Sequence, residues 1–156
     1  MKNKYLKIVL GVVVAVLIAY QVVIKVSTYL GEQALEATGL HRYELTEALQ
    51  MAKEKNRFIL ADMSAIWCPT CRKLDKKIFS DDSVKKVITD KYIFSRIEYE
   101  SDQGKEFVKK YNVKGFPTLL ILDKNAKKIL QLPLTFDPEL FIEYLNDFLD
   151  MQQISS

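Results

Sequence analysis

Phe58-Ile59-Leu60-Ala61-Asp62-Met63-Ser64-Ala65-Ile66-Trp67-Cys68-Pro69-Thr70-Cys71 is the stretch on which the reading of this chain turns. Phe58 to Ala61 is a short apolar run and reads as a buried strand. Cys68 and Cys71 are the only cysteines among 156 residues, so no disulfide framework holds the fold. A close pair placed where a strand gives way to a helix can instead store and release two electrons by closing on itself. With Cys68 at or near the N-cap, Pro69 fills the first helical position, where its missing N–H costs nothing. The Cys68 sulfur then faces unpaired backbone N–H groups and the positive end of the helix dipole. Such surroundings favour the thiolate, the nucleophilic form of cysteine. Cys71, one turn later, is expected to be more buried and to act as the resolving thiol. Two other uses of the pair fit less well. A structural bridge spanning so few residues restrains the unfolded chain little. A metal site needs further soft ligands, and only His41 is on offer, without a second cysteine pair. No metal and no cofactor are expected.

Outward from this stretch, helical and strand patterns alternate. Leu45, Ala48, Leu49 and Ala52 recur at helical spacing, which predicts a helix over residues 43–55. A second helix is expected from the cysteines towards Phe79. Ser80-Asp81-Asp82 offers cap chemistry for another, carrying Val84, Val87 and Ile88. Tyr92-Ile93-Phe94 with Ile97 reads as a strand. Ser101-Asp102 can cap a helix through Phe107, Val108 and Tyr111. Thr118 to Leu122 is a third strand, and Ile129 to Leu132 can return beside it after the turn-like Asp123-Lys124-Asn125-Ala126. Asp137-Pro138 places a cap and a first-turn proline before a last helix with Leu140, Phe141, Tyr144, Leu145 and Phe148 on one face. The order α-β-α-β-α-β-β-α predicts a three-layer α/β sandwich.

The charge is uneven. Residues 1–26 hold Lys2, Lys4, Lys7 and Lys25 and no acid, while the rest of the chain holds 19 basic and 20 acidic residues. A body so near neutrality gives no electrostatic case for nucleic acid. From Ile8 to Ile24 only Gln21 is polar, and the 21 residues from Leu6 to Val26 would extend about 31 Å as a helix, against a bilayer core of about 30 Å. Lys7 and Lys25 can snorkel to the interface, and Tyr5 and Tyr29 flank the segment as interfacial aromatics do. A cleaved signal peptide is the rival reading. It lacks a convincing small-x-small cleavage site, and the apolar run continues past its expected core. The division expected is a membrane anchor over 1–26, a tether over 27–40 containing Gly31 and Gly39, a body over 41–150 and a tail over 151–156. The positive-inside rule keeps the lysine-rich end in the cytoplasm, so the body lies outside, as in a bacterial periplasm, where disulfides persist.

Residues 40–150 resemble thioredoxin-fold proteins. The resemblance is carried by Asp62 six residues before Cys68, by Trp67 directly before it, and by Lys114-Gly115-Phe116-Pro117-Thr118, similar to that family's loop before its third strand. Trp67-Cys68, Cys71-Arg72-Lys73-Leu74-Asp75-Lys76 and Phe79-Ser80-Asp81 are similar to the C-terminal domain of DsbD-type thiol:disulfide interchange proteins. The Pro69-Thr70 pair between the cysteines departs from that pattern and is more like the thioredoxins of cytochrome c maturation. The resemblance implies the thioredoxin fold with a central mixed four-stranded sheet, and a cis peptide bond before Pro117 packed against the cysteines. It further implies that Asp62 assists proton transfer at Cys71. Pro117 and Asp62 therefore join Cys68 and Cys71 as catalytic candidates. Trp67, Pro69, Thr70, Phe116 and Thr118 are supporting ones, Trp67 on the surface around Cys68 and Thr70 tuning the redox potential. Arg96 is expected as an exposed strand arginine, with pairing to Asp62 as the alternative, His41 as a surface residue, and Arg72, Lys73, Lys76 and Lys77 with Asp75 as a solvated helix face. The activity expected is thiol–disulfide exchange with partner proteins by a monomer, single-pass in the inner membrane. It would act as a reductant resupplied by a membrane or periplasmic donor. The alternatives are an apocytochrome c thiol reductase and a non-catalytic binding or chaperone-like module.

Overall fold

The computed structural model describes residues 2–154, with side chains from residue 5 onward. The side chains of Lys2 and Lys4 and the last two residues of the tail lie outside the described residues. In chain order the elements are α1 (Lys2–Ala37), α2 (Leu45–Lys55), β1 (Phe58–Ser64), α3 (Pro69–Leu74), a π-helical turn (Asp75–Phe79), α4 (Asp82–Lys91), β2 (Tyr92–Glu98), α5 (Asp102–Tyr111), β3 (Thr118–Leu122), β4 (Lys128–Gln131) and α6 (Pro138–Ile154). The strands form one mixed sheet in the order β2-β1-β3-β4. β1 runs parallel to β2 and antiparallel to β3, and β4 closes the antiparallel edge.

Successive strand residues point to opposite faces, and the chain uses both. Ile59, Ala61, Met63, Ile93, Ile97, Leu120 and Leu122 pack with Ala48 and Ala52 of α2 and Phe107 and Tyr111 of α5. Leu60, Phe94, Leu119 and Ile121 meet Leu74, Ile78 and Phe79, Val84 and Ile88 of α4, and Phe141, Leu145 and Phe148 of α6. The sheet is thus the middle of three layers, as the alternating pattern predicts. The helix starts follow their cap residues. Asp81 accepts the N–H groups of Ser83 and Val84, and Ser101 accepts that of Gly104. Asp137 accepts those of Glu139 and Leu140.

The segment after the apolar run differs from expectation. Residues 27–37, read as part of a tether, continue α1 without a break, and the helix packs on α3 and the π-helical turn. Gly31, Ala34 and Thr38 are buried at spacings of three and four. A Cβ on Gly31 would overlap the Ile66 carbonyl oxygen, so a glycine is what lets the helix come this close. Earlier in α1 the side chains from Tyr5 to Tyr20 are all exposed. The helix from Tyr5 is apolar and long enough for a membrane span, and a signal sequence would look the same on this criterion.

Candidate active site

Cys68 caps α3 with its own sulfur. Its backbone is extended, and its Sγ accepts the Cys71 N–H at 3.1 Å. Pro69 occupies the first helical position, and the Cys68 carbonyl accepts the Arg72 N–H at 3.0 Å. The Cys68 N–H is itself held by the Ala65 carbonyl at 3.0 Å, which closes the turn between β1 and α3. Cys71 is 1% exposed against 5% for Cys68. Both are buried, Cys71 the more deeply of the two. Pro69 and Thr70 are exposed beside them.

Around the pair the structure brings together residues far apart in sequence. Ala65, Cys68 and Cys71 form a small cluster covered by Trp67 and Phe116. Trp67 and Phe116 meet edge to face with centroids 5.5 Å apart, and Tyr99 adds a third ring 4.9 Å from Phe116. The Phe116–Pro117 bond is cis, as the resemblance implies. Pro117 is half-buried, and the Thr118 hydroxyl donates to the Gly115 carbonyl at 2.6 Å across the loop.

Under the cysteine helix lies a charged cluster that the sequence reading found only in part. Asp62 is fully buried, and its carboxylate accepts from the Ser64 hydroxyl and from Arg96 Nη1, both at 2.7 Å. Arg96 stands opposite Asp62 in the parallel register of β1 and β2. The same Nη1 donates to Asp75 at 2.8 Å, so one guanidinium joins two acids. Its Nε is buried and has no hydrogen-bond partner among the described residues. Two expectations are corrected here. Arg96 is not an exposed strand residue, because its side chain is 6% exposed and points from β2 to the layer of α3. Asp75 is not part of a solvated face, because it is 1% exposed beneath the π-helical turn. Burial pushes the Asp75 carboxyl up to about 6; Arg96 opposes that shift and the charge on Asp62 adds to it.

Glu98 was also missed. From the end of β2 it accepts the Ile66 N–H at 3.0 Å and so pins the residue before Trp67. Burial raises its carboxyl above the usual carboxylate range. A signal for Asp75 did exist. Cys71, Leu74, Asp75, Ile78 and Phe79 make one helical stripe, and the acid occupies a core position within it. For Arg96 the signal was the parallel pairing of β1 and β2, which sets it beside Asp62.

The arrangement can perform two-electron exchange. A Cys68 thiolate at the start of a helix, with a second sulfur one turn behind it, can attack a disulfide and then be released from the adduct.

The profile of the thioredoxin-like domain family matches residues 45–149. UBX domain-containing protein 2 of Schizosaccharomyces pombe is 31% identical over 107 residues, which are 68% of this chain and 25% of that protein. The thiol:disulfide interchange protein DsbD of Escherichia coli K12 is 33% identical over 107 residues, 67% of this chain and 19% of that one. The chain thus spans a quarter or less of these two relatives. Among solved structures, a thioredoxin from Thermus thermophilus aligns with TM-score 0.63 and 23% identity over 70% of this chain and 87% of the other. The oxidised DsbD C-terminal domain of Neisseria meningitidis aligns with TM-score 0.56 and 15% identity over 69% and 98%. At those identities the two structures share the fold.

Proposed function

The chain belongs to the thioredoxin-like domain family, and on that premise we propose that it is a membrane-anchored, extracytoplasmic reductant of protein disulfides. Membership alone does not choose an activity, since one relative carries the name of an interchange protein and another that of a UBX domain protein. The cysteine pair chooses: this is a thioredoxin-like thiol–disulfide oxidoreductase. The observation that carries the reading is Cys68 at the N-cap of α3 with Cys71 buried behind it. The Cys68 thiolate attacks one sulfur of a partner disulfide, forms a mixed disulfide and expels the other sulfur as a thiolate. Cys71, giving up its proton, attacks Cys68 Sγ. The partner leaves with both sulfurs reduced, and Cys68 and Cys71 are left joined, having lost two electrons. A membrane or periplasmic donor must restore them. The reducing direction is supported by the resemblance of residues 67–81 to the DsbD-type C-terminal domain, and the outside location by the excess of lysines at the N-terminal end of the apolar segment, Lys2, Lys4 and Lys7 against Lys25.

A narrower reading, reduction of the apocytochrome c disulfide to the two thiols that take haem, has Pro69-Thr70 in its favour. Both residues are exposed beside Cys68, where a substrate would meet them.

The test is the Cys71→Ser variant of the full chain. It should accumulate mixed disulfides through Cys68, and the wild-type pair should titrate reversibly nearer about −270 mV than about −120 mV. If nothing is trapped and no reversible couple exists, the oxidoreductase reading is wrong. A mature N-terminus beyond residue 26 would remove the anchor.

A further inference from the structure

The helix that carries the cysteines, together with the π-helical turn that follows it, carries the densest positive charge of the body. Between Cys71 and Ile78, Arg72, Lys73, Lys76 and Lys77 are basic, and the one acid, Asp75, is turned inward onto Arg96. Lys73, Lys76 and Lys77 are exposed and Arg72 is half-buried. Elsewhere the body is slightly acidic, so this face stands out from it. Its position relative to α1 is set by two contacts. Ile66, before α3, lies against Gly31, while Arg72, six residues on, reaches the Ser27 carbonyl at 3.5 Å. The cysteine helix therefore runs back along α1 towards the apolar segment. Lys76 and Lys77 come later still, in the π-helical turn that also packs on α1, beside the last turn of the apolar segment, from where their long side chains can snorkel back to the headgroup level. Ser27 follows directly on Lys25 and Val26 at the end of that segment. Four helical residues from Gly31 to Ser27 amount to about 6 Å, no more than the depth of a lipid headgroup layer, which is about 5–7 Å on each side of a bilayer. The exposed acids of α1, Glu32 and Glu36, lie on the far side of this level.

We propose that the basic face formed by Arg72, Lys73, Lys76 and Lys77 is a contact surface for anionic lipid headgroups beside the inserted α1. The inference rests on the anchor reading given above. Positive side chains within a Debye length of an anionic surface are attracted to it, and the attraction is lost in salt. Lys73 is shared with the Phe136 ring, 4.0 Å below its Nζ, which leaves Lys76 and Lys77 as the side chains to remove.

Trp67 is the only tryptophan of the chain and precedes Cys68, so its fluorescence reports how near the active-site rim sits to the bilayer. The full chain is reconstituted into vesicles of phosphatidylcholine and into vesicles of phosphatidylcholine with phosphatidylglycerol, each with a headgroup-spin-labelled quencher. Quenching should be about twofold stronger in the anionic vesicles, and should fall to the zwitterionic level in about 1 M salt, where the Debye length is about 3 Å. It should fall equally in the K76Q/K77Q variant. Equal quenching in the two vesicle types overturns the inference and leaves the anchor standing. So does an anionic enhancement that survives salt or the K76Q/K77Q change. A chain that floats with neither kind of vesicle removes the anchor and this surface with it.

Discussion

On one face of the sheet Ile59, Ala61, Met63, Ile93 and Ile97 meet α2 and α5 without a buried charge. On the other face, the same two strands present Asp62, Ser64 and Arg96 to the layer that carries the cysteines. Taking two carboxylates and a guanidinium out of water costs more than burying apolar side chains of similar size, and their mutual attraction offsets that cost only with good geometry. The difference shows where the fold accepts a less economical core. The charged face joins β1, β2 and the end of the cysteine helix through ionic hydrogen bonds, whereas the other face is held by apolar packing with neutral polar groups such as the Tyr111 hydroxyl, which donates to the Ala126 carbonyl.

The contrast is open to attack at several strengths. The largest effect is expected at the sulfur itself. Cys68→Ser should reduce exchange with a disulfide substrate to the uncatalysed rate, while its denaturation midpoint stays close to wild type. A variant that still turned over would place the chemistry elsewhere. Next, Arg96→Met leaves Asp62 and Asp75 buried without their partner and should lower the unfolding free energy by about 3–5 kcal/mol in urea titrations. A loss under about 1 kcal/mol would mean that water, not the guanidinium, satisfies the acids. On the apolar face Ile97→Val should cost only about 0.5–1.5 kcal/mol and leave the exchange rate and its pH profile unchanged. A shifted pH profile in that variant would abolish the distinction between the faces.

A pH dependence should separate the faces as well. Asp75 binds its proton more tightly in the fold, at about 6, than at its ordinary value of 3.8. The stability it contributes is therefore complete below about pH 4 and is lost as the pH rises through 6. Asp75→Asn should flatten that part of the stability profile, measured as denaturant midpoints from acid to neutral pH. An unaltered profile would assign the titration to another group, such as Glu98.

Periodicity made most of the fold legible, because each strand has an uninterrupted apolar run and most helices a capping residue at the start. The reactive pair was legible from Cys68-Pro69-Thr70-Cys71, and the loop at Pro117 from the family resemblance. What stayed hidden depended on contacts between distant residues. Asp75 lies among exposed lysines in sequence, and only the burial of its stripe turns it inward. The pairing of Arg96 with Asp62 is open to the sequence only as an alternative, and the parallel register is what favours it over an exposed arginine. The stretch after the apolar run was misread because Gly31 suggested looseness. In the structure it marks the closest approach of two backbone segments.

That approach changes where the domain begins. With Gly31 seated on Ile66 inside an unbroken helix, residues 27–38 act as one wall of the cysteine helix. Trimming the chain at residue 41 would strip that wall and open Ile66 and the side of α3 to water, whereas trimming at Ser27 would keep it. The apolar segment and the wall of the redox body thus belong to one helix, so no stretch of loose chain lies between the segment and the contact at Ile66.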